Sequence, residues 1–417
     1  MYRSLLTLPF YFLLIIGLTV PSDGQHGFLS VKGVSFILAL VTFGAFFLRP
    51  DYKQNWVKAF CALLAALGFL SHWFLIGILS GESVLQSQFD QLKLFLVTLF
   101  FPFAAYMLLE AHYITIQSIY KTAIYATFAY VFTKVALVSM HLVGWVDLWG
   151  FLDMLGIRFM KMDILEGLDR VQTSADIAPP FLLFFVLRAE LLDVHLSKKF
   201  KFAYALLTLL ATFLSFSRVL LAVYAASVCL ATFTLSLRAI RNYCILLTFS
   251  LLTAYLAIGP STVHKVVERR FFSRDTTYSD DVRVRQIDAL YSGFKETPFL
   301  GKGLGASAAY VRDPDSPHSY EVQWMAFLFQ FGIFGFMLLM IPVVGIALFL
   351  CQPTRFHLAC LGVYIIFLLA GLTNPFLISL ASGILYTLFA LPGTIGLIKK
   401  RSSPSPCPLP QALTRSF

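Results

Sequence analysis

Charge is scarce in this chain: 13% of its 417 residues are Asp, Glu, Lys or Arg, against 58% that are apolar. A soluble core cannot enclose so many apolar side chains, so lipid has to be the solvent. Cysteine is scarce as well. Cys61, Cys229, Cys244, Cys351, Cys360 and Cys407 all fall within apolar runs or beside Lys- and Arg-bearing turns, which excludes a disulfide-stapled exported loop. There is no internal repeat of fixed period, and the pseudo-symmetric halves common among transporters are not visible. Low complexity is confined to the tail Ser402-Ser403-Pro404-Ser405-Pro406-Cys407-Pro408, which reads as disordered. Arg3 before an apolar stretch and Pro21-Ser22-Asp23-Gly24 after it have the outline of a signal peptide, but a small-x-small cleavage site is lacking, so this run is read as a span.

What is abundant is the apolar run long enough to cross a hydrocarbon layer of about 30 Å. Twelve are read, over 5–20, 28–48, 56–79, 92–109, 119–143, 177–196, 200–216, 218–237, 243–259, 322–350, 355–372 and 375–397. The expected fold is an all-α polytopic membrane protein with about twelve transmembrane helices. The net charge of +10 would point to nucleic acid in a soluble protein, but here it sits in alternate short loops. Arg49, Lys53 and Lys58, then Lys198, Lys199 and Lys201, then Arg238 and Arg241, then Arg355, then Lys399, Lys400 and Arg401 mark one face as cytoplasmic. The opposing short loops 21–27, 80–91 and 371–375 hold no Arg or Lys, so both termini are expected in the cytoplasm.

This divides the chain into a bundle of nine spans over 1–259, a large basic loop over 260–320, three further spans over 321–397 and the tail 398–417. Within the first part, 144–176 is a smaller exported segment. It places Trp145, Leu148, Trp149, Leu152 and Leu155 at helical spacing, as in an amphipathic helix lying on the membrane surface. The loop 260–320 carries Lys265, Arg269, Arg270, Arg274, Arg283, Arg285, Lys295, Lys302 and Arg312 against fewer acids. Long translocated segments escape the positive-inside bias, so this charge calls for an anionic partner: lipid headgroups, an acidic polysaccharide, or the diphosphate of a lipid-linked sugar.

Arginine suits phosphate, because its planar fork donates two parallel hydrogen bonds and never loses its charge. Arg283 and Arg285 open a helical pattern that ends at Pro298 and Gly301-x-Gly303-x-Gly305, a turn whose amides can approach an anion closely. The turn lacks the Lys-Ser/Thr of a nucleotide-binding loop. His318 stands at the outer mouth of the tenth span, which carries Gly332-x-x-Gly335; its imidazole can act as a base near neutral pH, or simply anchor the interface. Arg218 follows Ser217 at the junction of the seventh and eighth spans, where a charge must face a cavity, pair with an anion, or snorkel outward. Lys134, inside the fifth span, lines a cavity or snorkels. Asp313-Pro314-Asp315 reads as a proline-fixed turn rather than a metal-holding pair.

Together Ser217-Arg218, the Arg283 helix ending in Pro298-x-x-Gly301-x-Gly303, and His318 ahead of a Gly-x-x-Gly span resemble the O-antigen ligase and O-antigen polymerase superfamily of bacterial envelope glycan assembly. The resemblance implies a GT-C-like fold and a metal-independent, inverting glycosyltransferase in the bacterial inner membrane. It would use an undecaprenyl-diphosphate-linked glycan donor, no cofactor and no nucleic acid, with its active face in the periplasm. It also implies that Arg218 and Arg283 hold the donor diphosphate and that His318 acts on the acceptor hydroxyl. That acceptor would be lipid A core in a ligase and a second lipid-linked glycan in a polymerase. Arg285, Arg170 and Lys134 stand as further substrate contacts. The chain departs from the family where His318 is followed by Ser319 rather than Asn, and where Arg170-Val171-Gln172-Thr173 lacks the glycine usual after that arginine. A lipid-linked oligosaccharide flippase is the alternative from another class.

Overall fold

The computed structural model describes residues 2–21, 31–47, 55–81, 83–154, 163–165, 168–235, 241, 245, 248, 264, 274–312 and 317–402. Helices dominate. They are α1 (Tyr2–Thr19), α2 (Val31–Phe47), α3 (Asn55–Ser80), α4 (Leu85–Glu110), α5 (Ile116–Leu142), α6 (Leu148–Met154) and α7 (Ala178–Leu187), followed by α8 (Lys198–Ser215), α9 (Arg218–Phe233), α10 (Arg274–Glu296), α11 (Gln323–Leu350), α12 (Arg355–Ala370) and α13 (Leu380–Ser402). A short antiparallel hairpin pairs β1 (Asp163–Leu165) with β2 (Leu168–Asp169).

Four stretches are long and apolar enough to cross a membrane by length and composition: Phe60–Ser80 in α3, then α4, α5 and α11. Every other expected run that lies among the described residues also contains a helix, while the ninth, 243–259, lies outside them apart from residues 245 and 248. Caps set several of the starts. Thr115 and Ser118 exchange capping hydrogen bonds before α5, Ser197 Oγ accepts the Phe200 N–H before α8, and Thr354 Oγ1 accepts the His357 N–H before α12. Each such cap is worth about 1 kcal/mol.

The sixth run differs from its expectation. Over 177–196 the structure forms only the ten-residue α7, about 15 Å long at 1.5 Å per residue, half of what a span needs. It is preceded by a 3-10 turn, Ser174–Ile177, and followed by another, Ala189–Leu192. The reason is that α7 is apolar on all sides, as a helix enclosed by other helices has to be. Phe181, Leu182, Leu183, Phe184, Phe185 and Val186 are fully buried, and α7 packs against α5, α8, α9, α12 and α13. It lies enclosed at the axis of the bundle, and with the flanking 3-10 turns the helical stretch runs from Ser174 to Leu192.

Part of the amphipathic segment lies among the described residues, and its Leu155 lies outside them. Within it Leu148–Met154 is α-helical; Leu148 and Leu152 bury against Val138 and Val171, and Trp145 is exposed.

The tenth run is broken at Gly332, whose φ of 61° and ψ of −173° interrupt α11. The break frees backbone groups at membrane depth, where they must find partners within the protein. The glycine turn 301–305 supplies them. The amides of Lys302 and Gly303 donate to the carbonyls of Phe329 and Gln330 at 3.0 and 2.9 Å, and the Ile333 and Phe334 amides donate to those of Pro298 and Phe299. Trp73 Nε1 donates to both Leu300 O (2.8 Å) and Phe331 O (3.0 Å), tying α3 to the same junction.

Backbone approach is the constraint on the glycines: a Cβ on Gly303, at φ +88°, would meet Gly77 N at 2.1 Å, and one on Gly301 would meet Gln330 O at 2.4 Å. The turn read from sequence as a cradle for an anion is therefore a wedge between helices. Its amides from Gly301 to Gly305 already donate within the protein, the last of them to Gln91 Oε1 at 2.6 Å.

Candidate functional site

Two short corners and one long helix bring the candidate cations together. Phe216, in the left-handed region at φ 46°, ends α8, and Ser217 caps α9 by accepting the Leu220 N–H, so Arg218 becomes the first residue of α9. A cation at a helix N-terminus opposes the helix dipole and needs an anion beside it. That anion comes from α10. Arg218 Nη2 lies 3.2 Å from Asp280 Oδ1, and Arg283 Nη1 lies 2.7 Å from the same oxygen.

The other edge of Arg283 is held separately. Its Nε is 2.8 Å from Glu321 Oε2, and Arg312 pairs with the second oxygen of Glu321. Three guanidiniums against two carboxylates leave one net positive charge. Arg283 is aimed this way because α10 is amphipathic: Val282, Gln286 and Leu290 form its buried face, Leu290 packs against Tyr320 and Ala326 at the head of α11, and Gln286 Oε1 accepts the Glu321 N–H at 3.1 Å.

Three residues before Glu321 stands His318, half-buried at the rim of a cavity of about 200 Å³. The cavity lies between α4, α11 and the segment after α12, and among the described residues no Asp, Glu, Lys or Arg lines it. Its polar lining is amide: Gln91 Nε2 donates to Gln330 Oε1 at 2.6 Å, Gln330 Nε2 donates to Ala306 O at 3.3 Å, and Gln323 Oε1 accepts the Leu377 N–H at 2.6 Å. Ser319 and Phe327 also line it. Tyr320 Oη accepts the Ala308 N–H at 2.6 Å. Burial pushes its phenol above the ordinary value and the Ala308 bond pulls it partly back, so it stays neutral and pins the glycine turn to the head of α11.

Residues 203–340 match the family model for O-antigen ligase. Arg218, Arg283, Asp280, His318 and Glu321 all fall inside that interval. The matched interval is about a third of the chain and is the stretch that carries the motifs read from the sequence. No curated protein and no solved structure gives a significant match.

The other arginines and the lysine named from sequence lie elsewhere. Arg170, just ahead of the matched interval, donates from Nε to Ser215 O at 3.0 Å and from Nη2 to Gln172. It therefore braces the last turn of α8, three residues from Arg218. Lys134 neither lines the cavity nor snorkels: its Nζ is 2.7 Å from Asp176 Oδ1, with both side chains buried. Tyr130 Oη donates to the same oxygen at 2.8 Å, and Asp176 Oδ2 accepts the Thr173 N–H. The lysine's charge is already neutralised, so it fastens the strap 170–177 to α5. Arg285 is exposed on α10, roughly 200° around the helix from Arg283 at 3.6 residues per turn, and is not brought to the cluster.

Asp313 and Asp315 lie outside the described residues. Sequence reasoning passed over Asp280, Glu321 and the three glutamines. The glutamines had a legible signal, since polar side chains inside apolar runs are expensive and need a use. The two acids had none: Asp280, three residues from Arg283 on one helix, reads as an ordinary local pair, and the arginines that hold Glu321 come from positions 283 and 312.

Proposed function

We propose that this protein transfers a glycan from a polyprenyl-diphosphate carrier to an acceptor hydroxyl at the outer face of the inner membrane, as an O-antigen ligase acting on lipid A core. Arg218 and Arg283 hold the donor diphosphate. His318, at the cavity rim, takes the proton of the acceptor hydroxyl as its oxygen attacks the anomeric carbon. The bond from that carbon to the diphosphate oxygen breaks with its electron pair on the leaving group, and the configuration inverts. The two guanidiniums stabilise the charge that grows on the departing oxygen. A sugar ring suits the cavity, whose lining is amide, hydroxyl and aromatic, and whose volume of about 200 Å³ is below that of the usual drug-sized pocket. The catalysis needs no metal in this reading. Twelve spans, a GT-C-like fold and cytoplasmic termini belong to the same proposal.

The observation that carries it is the meeting of Arg218, from the start of α9, with Arg283, from α10, on one oxygen of Asp280, while Arg283 also pairs with Glu321, three residues of chain from His318. Polymerase is the second reading, favoured by the same family match, which covers both kinds of activity. The deciding experiment incubates the purified protein with polyprenyl-diphosphate glycan and, in turn, lipid A core or a second lipid-linked repeat unit. A ligase forms product with lipid A core alone, and full turnover in excess chelator is expected. Abolition by chelator with rescue by Mg²⁺ would contradict the metal-free mechanism, and failure with both acceptors would remove the reading.

A further inference from the structure

The two carboxylates of the cluster are not equivalent. Asp280 has a side chain 54% exposed, whereas that of Glu321 is 16% exposed and its backbone amide is bound to the fully buried Gln286. They also use different edges of Arg283. Glu321 forms an ion pair with Nε at 2.8 Å, and Asp280 Oδ1 accepts a hydrogen bond from Nη1 at 2.7 Å, the same oxygen that Arg218 reaches. An anion that reaches both arginines together has to stand where Asp280 Oδ1 stands now, because that one oxygen is already shared between them.

We propose that Asp280 is a resident counter-ion which the diphosphate of the donor displaces, and that Glu321 is the anchor which keeps Arg283 aimed while the exchange occurs. This rests on the reading of Arg218 and Arg283 as the diphosphate site. An exposed ion pair is worth a factor of about five at most, so Asp280 bridges the two arginines and offsets their repulsion without closing the site. A diphosphate offers several charged oxygens to two planar forks and can make bidentate bonds to each, which one carboxylate oxygen cannot match. When the glycan has been transferred the carrier diphosphate is the product, and the return of Asp280 to the arginines helps to release it. Glu321 does not exchange: it is the less exposed acid, and Arg312 shares it from the far side.

The test measures binding of inorganic pyrophosphate to the full-length protein in lipid nanodiscs, with the KM and kcat of glycan transfer in parallel. Asp280→Asn keeps the shape and removes the charge; pyrophosphate should bind about fivefold more tightly, with KM for the donor and kcat both falling as product leaves more slowly. Asp280→Ser should move binding in the same direction, so a folding defect peculiar to one variant does not decide the matter. Glu321→Gln should weaken binding at least as much as Asp280→Asn strengthens it. Unchanged or weaker binding in both Asp280 variants would overturn the displacement, and unchanged binding in Glu321→Gln would overturn the anchor. If Asp280→Asn binds more tightly while the wild type transfers no glycan, the transferase reading fails and the exchange stands. If transfer is robust and both Asp280 variants bind no more tightly, the exchange alone fails.

Discussion

Two clusters in this protein pair a cation from one helix with a carboxylate from a distant stretch of chain, and they are built to opposite ends. Lys134 and Asp176 are both buried, and Asp176 is further satisfied by Tyr130 and the Thr173 amide. The cluster of Arg218, Asp280, Arg283, Glu321 and Arg312 carries an excess positive charge and leaves its central acid half in solvent. The first cluster is closed, and its energy goes into fixing the strap 170–177 at depth. The second is open on one side and can trade its acid for another anion. A cation near or within the membrane is therefore not in itself a substrate contact; what separates the two is whether its charge has already been matched.

Substitutions should separate the clusters. Lys134→Ala leaves Asp176 buried without its counter-charge, and a loss of about 3–5 kcal/mol in stability is expected, measured as resistance to thermal or denaturant unfolding in detergent. Lys134→Met with Asp176→Leu should recover much of it, and pyrophosphate affinity of the folded fraction should not change. A loss of affinity there would erase the distinction between the clusters. Arg283→Ala reverses the pattern, with transfer lower by about 10²- to 10³-fold, as when one transition-state donor is removed, and an unfolding midpoint close to that of the wild type.

Arg170 sharpens the boundary between the two. Its bond to the last turn of α8 lies between them, and Arg170→Ala should cost about 1.5 kcal/mol, the loss of a charge-assisted hydrogen bond, with a smaller drop in transfer than Arg283→Ala. A drop equal to that of Arg283→Ala would place Arg170 on the substrate. Arg285→Ala should leave stability within about 0.5 kcal/mol of wild type, as surface changes do, and transfer within twofold; a large loss in transfer would mean that α10 presents a second face to the donor.

The sequence disclosed the helical class and the placing of most apolar runs, because apolar length is a local property of the chain, and it named Arg218 and Arg283, which meet on Asp280. It did not disclose that α7 would be a half-length axis. An all-apolar run looks the same whether lipid or other helices surround it, and the difference is visible only in the enclosing helices α5, α8, α9, α12 and α13. The glycine turn was misjudged for a similar reason. Glycine marks a place where a backbone comes close, but the approaching groups belong to α3 and to the break in α11 at Gly332, far away in the chain. Asp176 and Asp280 show the same blindness, since the cations that give each acid its meaning come from other elements.

Donor binding and turnover measured side by side on His318→Ala test the site most directly. Retained affinity for the polyprenyl-diphosphate donor is expected, with turnover lower by about 10²- to 10⁴-fold, the contribution of one positioned base, while Arg218→Ala and Arg283→Ala lose affinity and turnover together. Turnover in His318→Ala equal to that of the wild type, or donor affinity left intact in both arginine variants, would contradict a diphosphate site of two arginines beside one catalytic imidazole.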